Sequence, residues 1–292
     1  MSSLVERAVA NAPRLAALGE RWAPGVTAAL AVRLWATLPP PHPAEHRARW
    51  SKVEGTPLVA QVTGGTVVAS RFGDPEAPLA WLVHGWGGWR QQLESLVEPL
   101  LAAGYQVISH DALSHGDSTP GRHGPRSASA PEMGHTLADL AAQWGQPHLV
   151  GAHSLGAQAT AWAHAHHGLD YRKLVLVAPS VSIEDMVTRF TAHVPLGPRV
   201  HRRFMTRLTS SIGYGLEEFD LRLRAAERPR EMPLLVVHDE GDTETPIESA
   251  SGLVEAWPGA ELVTTQKLGH LRILRSPALK RAVADWLARH PV

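Results

Sequence analysis

From residue 79 to the C-terminus the chain alternates short apolar runs with segments of helical spacing, and this alternation restricts the fold more than any other feature. Leu79–Val83, Gln106–Ser109, His148–Ala152, Lys173–Ala178, Leu234–His238 and Glu261–Thr265 read as strands. Gln91–Ala103, Pro131–Gln143, Leu155–His167, Ser249–Trp257 and Pro277–Arg289 carry apolar residues at helical intervals. Short, uniformly apolar runs belong to strands covered on both faces. Strands separated by helices join in parallel, because a parallel crossover needs a long connection. The expected architecture is α/β, with a mostly parallel central sheet and helices on both faces.

Upstream, Leu58–Val62 and Thr66–Phe72 flank Gly64-Gly65, a hairpin signal that adds antiparallel edge strands. Residues 4–18 and 26–38 have helix-like apolar spacing, and Pro39-Pro40-Pro41 stops the second helix. The Pro/His/Arg-rich stretch 39–51 reads as a connector. Between Ala178 and Leu234 the alternation breaks, with helical spacing around 182–193, 199–211 and 216–228. A structureless loop of that length is uncommon. The expected organisation is an N-terminal helical extension (1–50), a core (51–179 and 232–292) and an inserted helical cap (180–231).

Composition removes whole classes of function. Lys+Arg and Asp+Glu are 28 each, so the formal net charge is zero. No global pull on nucleic acid or an anionic membrane follows. Cysteine is absent, which excludes disulfides, thiolate catalysis and iron–sulfur clusters. Glu6 and Arg7 break the N-terminus too early for a signal peptide, and no apolar run is long enough to span a bilayer. A soluble, cytoplasmic protein is expected, with no reading of its oligomeric state. Peripheral membrane attachment through residues 1–38 rests only on apolar spacing, which a lid over the protein's own surface explains equally. Arg199-Val200-His201-Arg202-Arg203 reads as a solvated face offset by Glu217, Glu218 and Asp220. His164-Ala165-His166-His167 reads as a solvated helix end rather than a metal site, so no metal is expected.

Four local signals carry chemistry. In Leu149-Val150-Gly151-Ala152-His153-Ser154-Leu155-Gly156-Ala157 an apolar strand turns into a helix through a serine between small residues. Such a turn lifts a hydroxyl out of the sheet at a helix N-terminus, where N–H groups and the helix dipole favour a developing oxyanion. The plain alternative is a serine N-cap. His84-Gly85-Trp86-Gly87-Gly88 follows a strand, and the N–H of Trp86 would pair with that of Leu155 as an oxyanion hole. Trp86 and Trp89 would line a substrate pocket. Asp239, Glu240, Asp242 and Glu244 follow another strand, and Leu268-Gly269-His270 follows the next. Serine, acid and histidine thus occur in that chain order.

Together these segments resemble the α/β-hydrolase superfamily, specifically its serine esterase/lipase and serine-aminopeptidase-like group. Asp111-Ala112-Leu113-Ser114-His115-Gly116-Asp117-Ser118 matches that group's Asp-x-x-x-His-Gly-x-Ser loop, and the resemblance spans roughly residues 58–290. It implies an α/β-hydrolase fold with Ser154 as nucleophile, His270 as base then acid, and Asp242 as the orienting acid, with Asp239 the rival. Ala152 stands where the group has glycine. His153 is expected beside the substrate or bracing the elbow, and His84 bracing the oxyanion loop.

The function implied is a cofactor-free serine hydrolase acting on small-molecule carboxylic esters. The same triad would also serve a lactone, amide, thioester or carbon–carbon bond, or a perhydrolase. A non-catalytic binding module on the same fold is the reading from a different class.

Overall fold

The computed structural model describes residues 18–51, 53–194, 196–225 and 232–292. The helix expected over 4–18 lies outside these residues, apart from Leu18. The chain divides into two compact units, one joining the N-terminal residues to Thr37 with Ile183–Glu217, the other Leu38–Ser182 with Glu218–Val292.

The larger unit is built on one eight-stranded sheet in the order β1-β2-β4-β3-β5-β6-β7-β8. The hairpin β1 (Thr56–Val62) and β2 (Gly65–Phe72) pairs antiparallel, and β2 pairs antiparallel with β4 (Gln106–His110). The remaining pairings, through β3 (Leu79–Val83), β5 (Leu149–His153), β6 (Lys173–Val177), β7 (Leu234–Asp239) and β8 (Glu261–Thr265), are parallel. Every residue of β3 to β7 is buried. That explains why these strands read as continuous apolar runs rather than alternating ones. Val62 pairs directly with Gly65, so the turn is Thr63-Gly64, with Gly64 at φ +100°.

The helices obey their end signals. Ser129 caps Ala130–Trp144, accepting the Glu132 N–H, and Gly145 ends it at φ +94°. Gly134 lets that helix approach Leu155–His167, since a Cβ there would lie 2.5 Å from the Trp162 ring. Ser276 caps Pro277–Arg289 through the Leu279 N–H. The helix expected over 91–103 starts late. Arg90–Gln92 and Glu94–Leu96 form 3₁₀ turns, and only Val97–Ala102 is α-helical. Pro99 has no N–H to donate, so it sits where the first turn leaves one unused.

Residues 18–22 are helical, and the α-helices that lie wholly among the described residues are, in chain order, α1 (Pro24–Ala36), α2 (Ala44–Ala48), α3 (Val97–Ala102), α4 (Ala130–Trp144), α5 (Leu155–His167), α6 (Ile183–His193), α7 (Pro198–Ile212), α8 (Leu221–Ala225), α9 (Ile247–Ala256), α10 (Gly269–Arg272) and α11 (Pro277–Arg289). The short α2 lies inside the stretch expected as a connector. In the smaller unit α1 packs along α7, and Trp35 meets Phe190 and Phe204 edge-on at 5.4 and 6.4 Å. No helix among the described residues is long and apolar enough to cross a membrane.

One face of the sheet is sealed by α3 and α11. Trp286 of α11 is buried among Val97, Tyr105, Val283 and Leu287 in the same core cluster. Trp286→Ala is expected to cost about 3–5 kcal/mol of stability. Urea unfolding would measure it, and a loss under about 1 kcal/mol would show that α11 does not seal that face.

Candidate active site

The turn from β5 into α5 is made in one residue. Ser154 has φ +51° and ψ −123°, a conformation that a non-glycine residue adopts only when its surroundings enforce it. The enforcement is visible on both sides. A Cβ on Gly156 would meet the carbonyl oxygens of His84 and Val83 at 2.6 and 2.7 Å, and one on Gly85 would meet the Ser154 Cβ at 2.7 Å. Ala152, in place of the usual glycine, is buried in register with Val83 and Leu176. Ser154 occupies the N-cap position of α5, yet its side chain makes no capping hydrogen bond. The plain N-cap reading therefore fails, and the hydroxyl is free of that duty.

The loop after β3 is pinned by histidines. His84 Nδ1–H donates to the Gly85 carbonyl (2.8 Å), and its Nε2 accepts the Ala112 N–H (3.0 Å). His115 Nδ1–H donates to the Leu113 carbonyl (2.9 Å), and its Nε2 accepts the Gly87 N–H (3.1 Å). His110 Nδ1 accepts the Trp81 indole N–H at 3.0 Å. All three rings are buried, which lowers their pKa values to about 4 (His84), about 3 (His110) and about 3 (His115). Each is a neutral imidazole whose tautomer its neighbours set. Among the described residues, no hydrogen bond takes the backbone N–H of Trp86 or Leu155.

The loop containing Asp111 supports this arrangement from behind. The buried Asp111 carboxylate accepts from Arg90 N (2.7 Å) and Asp117 N (2.9 Å) and pairs with the Arg90 guanidinium. Gly116, at φ +51°, lies so close to that carboxylate that a Cβ would collide with it.

After β7 and β8 the acid and the histidine meet. His270 Nδ1–H donates to Asp242 Oδ2 at 2.8 Å, and both side chains are buried. Asp242 Oδ1 accepts from the N–H groups of Glu244 (2.7 Å) and Thr245 (3.0 Å). Burial alone would raise the Asp242 pKa. The bond and charge of His270 and those backbone donors outweigh it and hold the carboxyl well below the usual range. Asp239 is spent elsewhere, on the N–H of Gly241 and Leu268 and the Thr265 hydroxyl. It shapes the His270 loop and makes no bond to the imidazole.

Of the two readings of His153, beside the substrate or bracing the elbow, its contacts fit the second. It is buried, and its Nε2–H donates to the His270 carbonyl at 3.2 Å, tying the elbow to the histidine loop. Trp89 is likewise buried, edge-on to His42 and Trp50 at 5.0 and 5.4 Å. Its wall faces a cavity of about 140 Å³ shared with His42, Arg47 and Arg126, and no member of the Ser154–Asp242–His270 set lines that cavity.

Sequence reasoning missed Thr245. Its hydroxyl lies 3.0 Å from Asp242 Oδ2 and 3.2 Å from His270 Nδ1, bracketing the pair. It also missed His238, whose Nε2–H donates to the Thr245 carbonyl at 2.8 Å and stands 3.6 Å from Asp242. The Asp-x-x-Thr-Pro spacing from Asp242 to Pro246 was the available signal. Glu244 is exposed, with Oε2 3.9 Å from His270 Nε2.

A family model described as serine aminopeptidase, S33, matches residues 75–234. The chain belongs to this α/β-hydrolase family. A second model, described as TAP-like protein, matches residues 220–291. Among solved structures, a hydrolase from Pseudomonas aeruginosa is 21% identical with a TM-score of 0.57, covering 81% of this chain and 99% of its own. A thermophilic esterase from Thermogutta terrifontis is 17% identical (TM-score 0.57; 80% and 100%). Est1E from Butyrivibrio proteoclasticus, with ferulic acid bound, is 15% identical (TM-score 0.61; 80% and 98%). These likenesses establish the shared α/β-hydrolase fold. Curated protein sequences gave no match.

Acid stability tests whether these buried histidines are neutral. Their folded pKa values lie below the ordinary 6.5, so below pH 6.5 the unfolded chain takes up protons that the native chain refuses. Stability should fall as pH drops from about 6.5 toward 4, by up to ~1.4 kcal/mol per pH unit for each ring. Urea midpoints measured between pH 7 and pH 5 would show it. A flat profile would mean that these rings accept protons in the native state.

Proposed function

We propose that this hydrolase cleaves carboxylic esters through an acyl-enzyme on Ser154, with Ser154, His270 and Asp242 as its triad. The observation that carries the reading is the buried 2.8 Å Asp242–His270 bond, in a chain whose elbow serine is strained and does not cap its helix. With Nδ1–H committed to Asp242, the lone pair of His270 is on Nε2, the nitrogen a general base needs.

Ser154 Oγ attacks the carbonyl carbon and passes its proton to His270 Nε2. The carbonyl electron pair moves onto oxygen, where the N–H groups of Trp86 and Leu155 stabilise it. Collapse expels the alcohol oxygen, which takes the proton from His270 and leaves an acyl ester on Ser154. Water then attacks the acyl carbon and gives a proton to His270; collapse breaks the bond to Ser154 Oγ, which takes that proton back from His270 as the carboxylic acid leaves. Asp242 remains ionised throughout and stabilises the imidazolium. Thr245 and the N–H of Glu244 hold the carboxylate in place, and the Glu244 carboxylate adds negative charge on the Nε2 side.

The ester preference is drawn from the sequence motifs and is in keeping with esterases on the same fold. Serine at the elbow speaks against the aspartate-nucleophile chemistry this scaffold also supports.

Ser154→Ala should lower turnover at least about 10³-fold with folding intact. Fluorophosphonate labelling located by mass spectrometry tests this without a known substrate. The adduct should sit on Ser154 and vanish in the variant, and retention of a tenth of the activity would remove Ser154 from the role. Asp242→Asn should cost about 10⁴-fold in kcat by disturbing the tautomer of His270. Asp239→Asn should act mainly on stability, through the His270 loop. The opposite ranking in ester assays would transfer the acid role to Asp239.

A further inference from the structure

We infer that the outward face of residues 18–34 is a docking surface for an anionic lipid bilayer. Leu18, Trp22, Val26, Leu30 and Leu34 recur at four-residue intervals, and each is 56–72% exposed. They are five of the nine large apolar side chains exposed among the described residues. Single exposed apolar residues are ordinary, whereas Val26, Leu30 and Leu34, successive neighbours on one helix face, with Trp22 and Leu18 on the helical residues just before it, mark an interaction face.

α1 is built the wrong way round for a helix facing water. Its buried positions are the small residues Pro24, Ala28 and Ala31, and its larger aliphatics point outward. Arg33 is the one charged residue on that outer face. Apolar faces of this kind, with tryptophan at one end, lie in the boundary between headgroups and acyl chains.

The rim decides the occupant. Arg21 stacks over Trp22 at 4.8 Å. Arg203 of α7 lies beside Gly25, and Arg199, Arg202 and Arg207 are exposed on the same helix. The described residues of this unit hold seven arginines against Glu20, Glu184, Asp185 and Glu217. Glu20 is already engaged, accepting from the N–H groups of Arg199 (2.8 Å) and Val200 (2.9 Å). Two of the acids expected to offset the arginine run, Glu218 and Asp220, pair instead with Arg224 and Arg222. A neutral chain thus carries an excess of positive charge in the unit that bears this apolar stripe. A second copy of the chain would set arginine against arginine, whereas anionic headgroups neutralise the rim while acyl chains take the stripe.

The test is co-sedimentation of the full chain with vesicles of equal parts phosphatidylglycerol and phosphatidylcholine, and with phosphatidylcholine alone. Wild type should partition onto the mixed vesicles, at least about fivefold less onto phosphatidylcholine alone, and less as salt rises. Leu30→Glu with Leu34→Glu should reduce partitioning at least about tenfold. Arg33→Glu with Arg203→Glu should reduce it by a similar factor on the mixed vesicles only. Thermal melts by circular dichroism check folding, and if the apolar variant is unfolded the arginine variant decides. No partitioning of wild type, or equal partitioning of folded variants, overturns the inference. So does a wild-type dimer, without vesicle binding, that Leu30→Glu converts to monomer.

Discussion

The close approach of β3, β5 and α5 at Ser154 is the constraint around which the larger unit is arranged. The chain changes from strand to helix in one residue of positive φ, and the β3 loop passes close enough that Gly85 and Gly156 leave no room for a Cβ. A strained residue of this kind costs of order 1–3 kcal/mol, and it persists because the neighbouring strands fix both ends of the turn. β5 is in register with β3 on one side and β6 on the other, so the serine cannot relax without breaking the sheet. α5 adds a helix dominated by alanine, a strong helix former, which Gly168 ends at φ +66°.

Around that turn, buried polar groups do the positioning through fixed hydrogen-bonding roles. His84 and His115 are neutral and each uses one ring nitrogen as donor and the other as acceptor, so two imidazoles hold the Gly-rich loop without introducing charge. Asp111 spreads its negative charge over Arg90 and two backbone N–H groups. Asp242 is the contrasting case, a buried carboxylate kept ionised by four hydrogen bonds and the neighbouring imidazole. A neutral loop beside an ionised acid–histidine pair suits a site that develops negative charge at one end and positive charge at the other. This is the physical content of the proposed ester chemistry.

Much of this was legible in the sequence, for a local reason. Apolar periodicity, the Gly-rich turn and the small-x-Ser-x-small segment are each encoded within a few neighbouring residues, so strand, turn and helix could be placed before any packing was known. Where the expectation slipped, a distant group was responsible. The start of the 91–103 helix gives way to 3₁₀ turns where the Arg90 N–H is drawn to Asp111, twenty-one residues away. Trp89 is covered by His42 and Trp50, so position in the motif did not reveal its environment. His153, read as beside the substrate or bracing the elbow, bonds His270 across 117 residues of chain, a partner that no local motif names.

By itself the sequence determined an α/β chain with a mostly parallel sheet, the turn at Ser154 and the order of serine, acid and histidine, because strand and helix periods and turn chemistry are local properties; the α/β-hydrolase fold followed from the resemblance of its motifs. The resemblance favoured Asp242, with Asp239 as its rival. Only the tertiary structure shows their separate partners, Asp239 bonded to the backbone of residues 241 and 268 and Asp242 to His270 and Thr245. The same holds for α1. A helix apolar on nearly every side carries no inside or outside in its sequence. Packing along α7 buried its alanines and left Val26, Leu30 and Leu34 facing out.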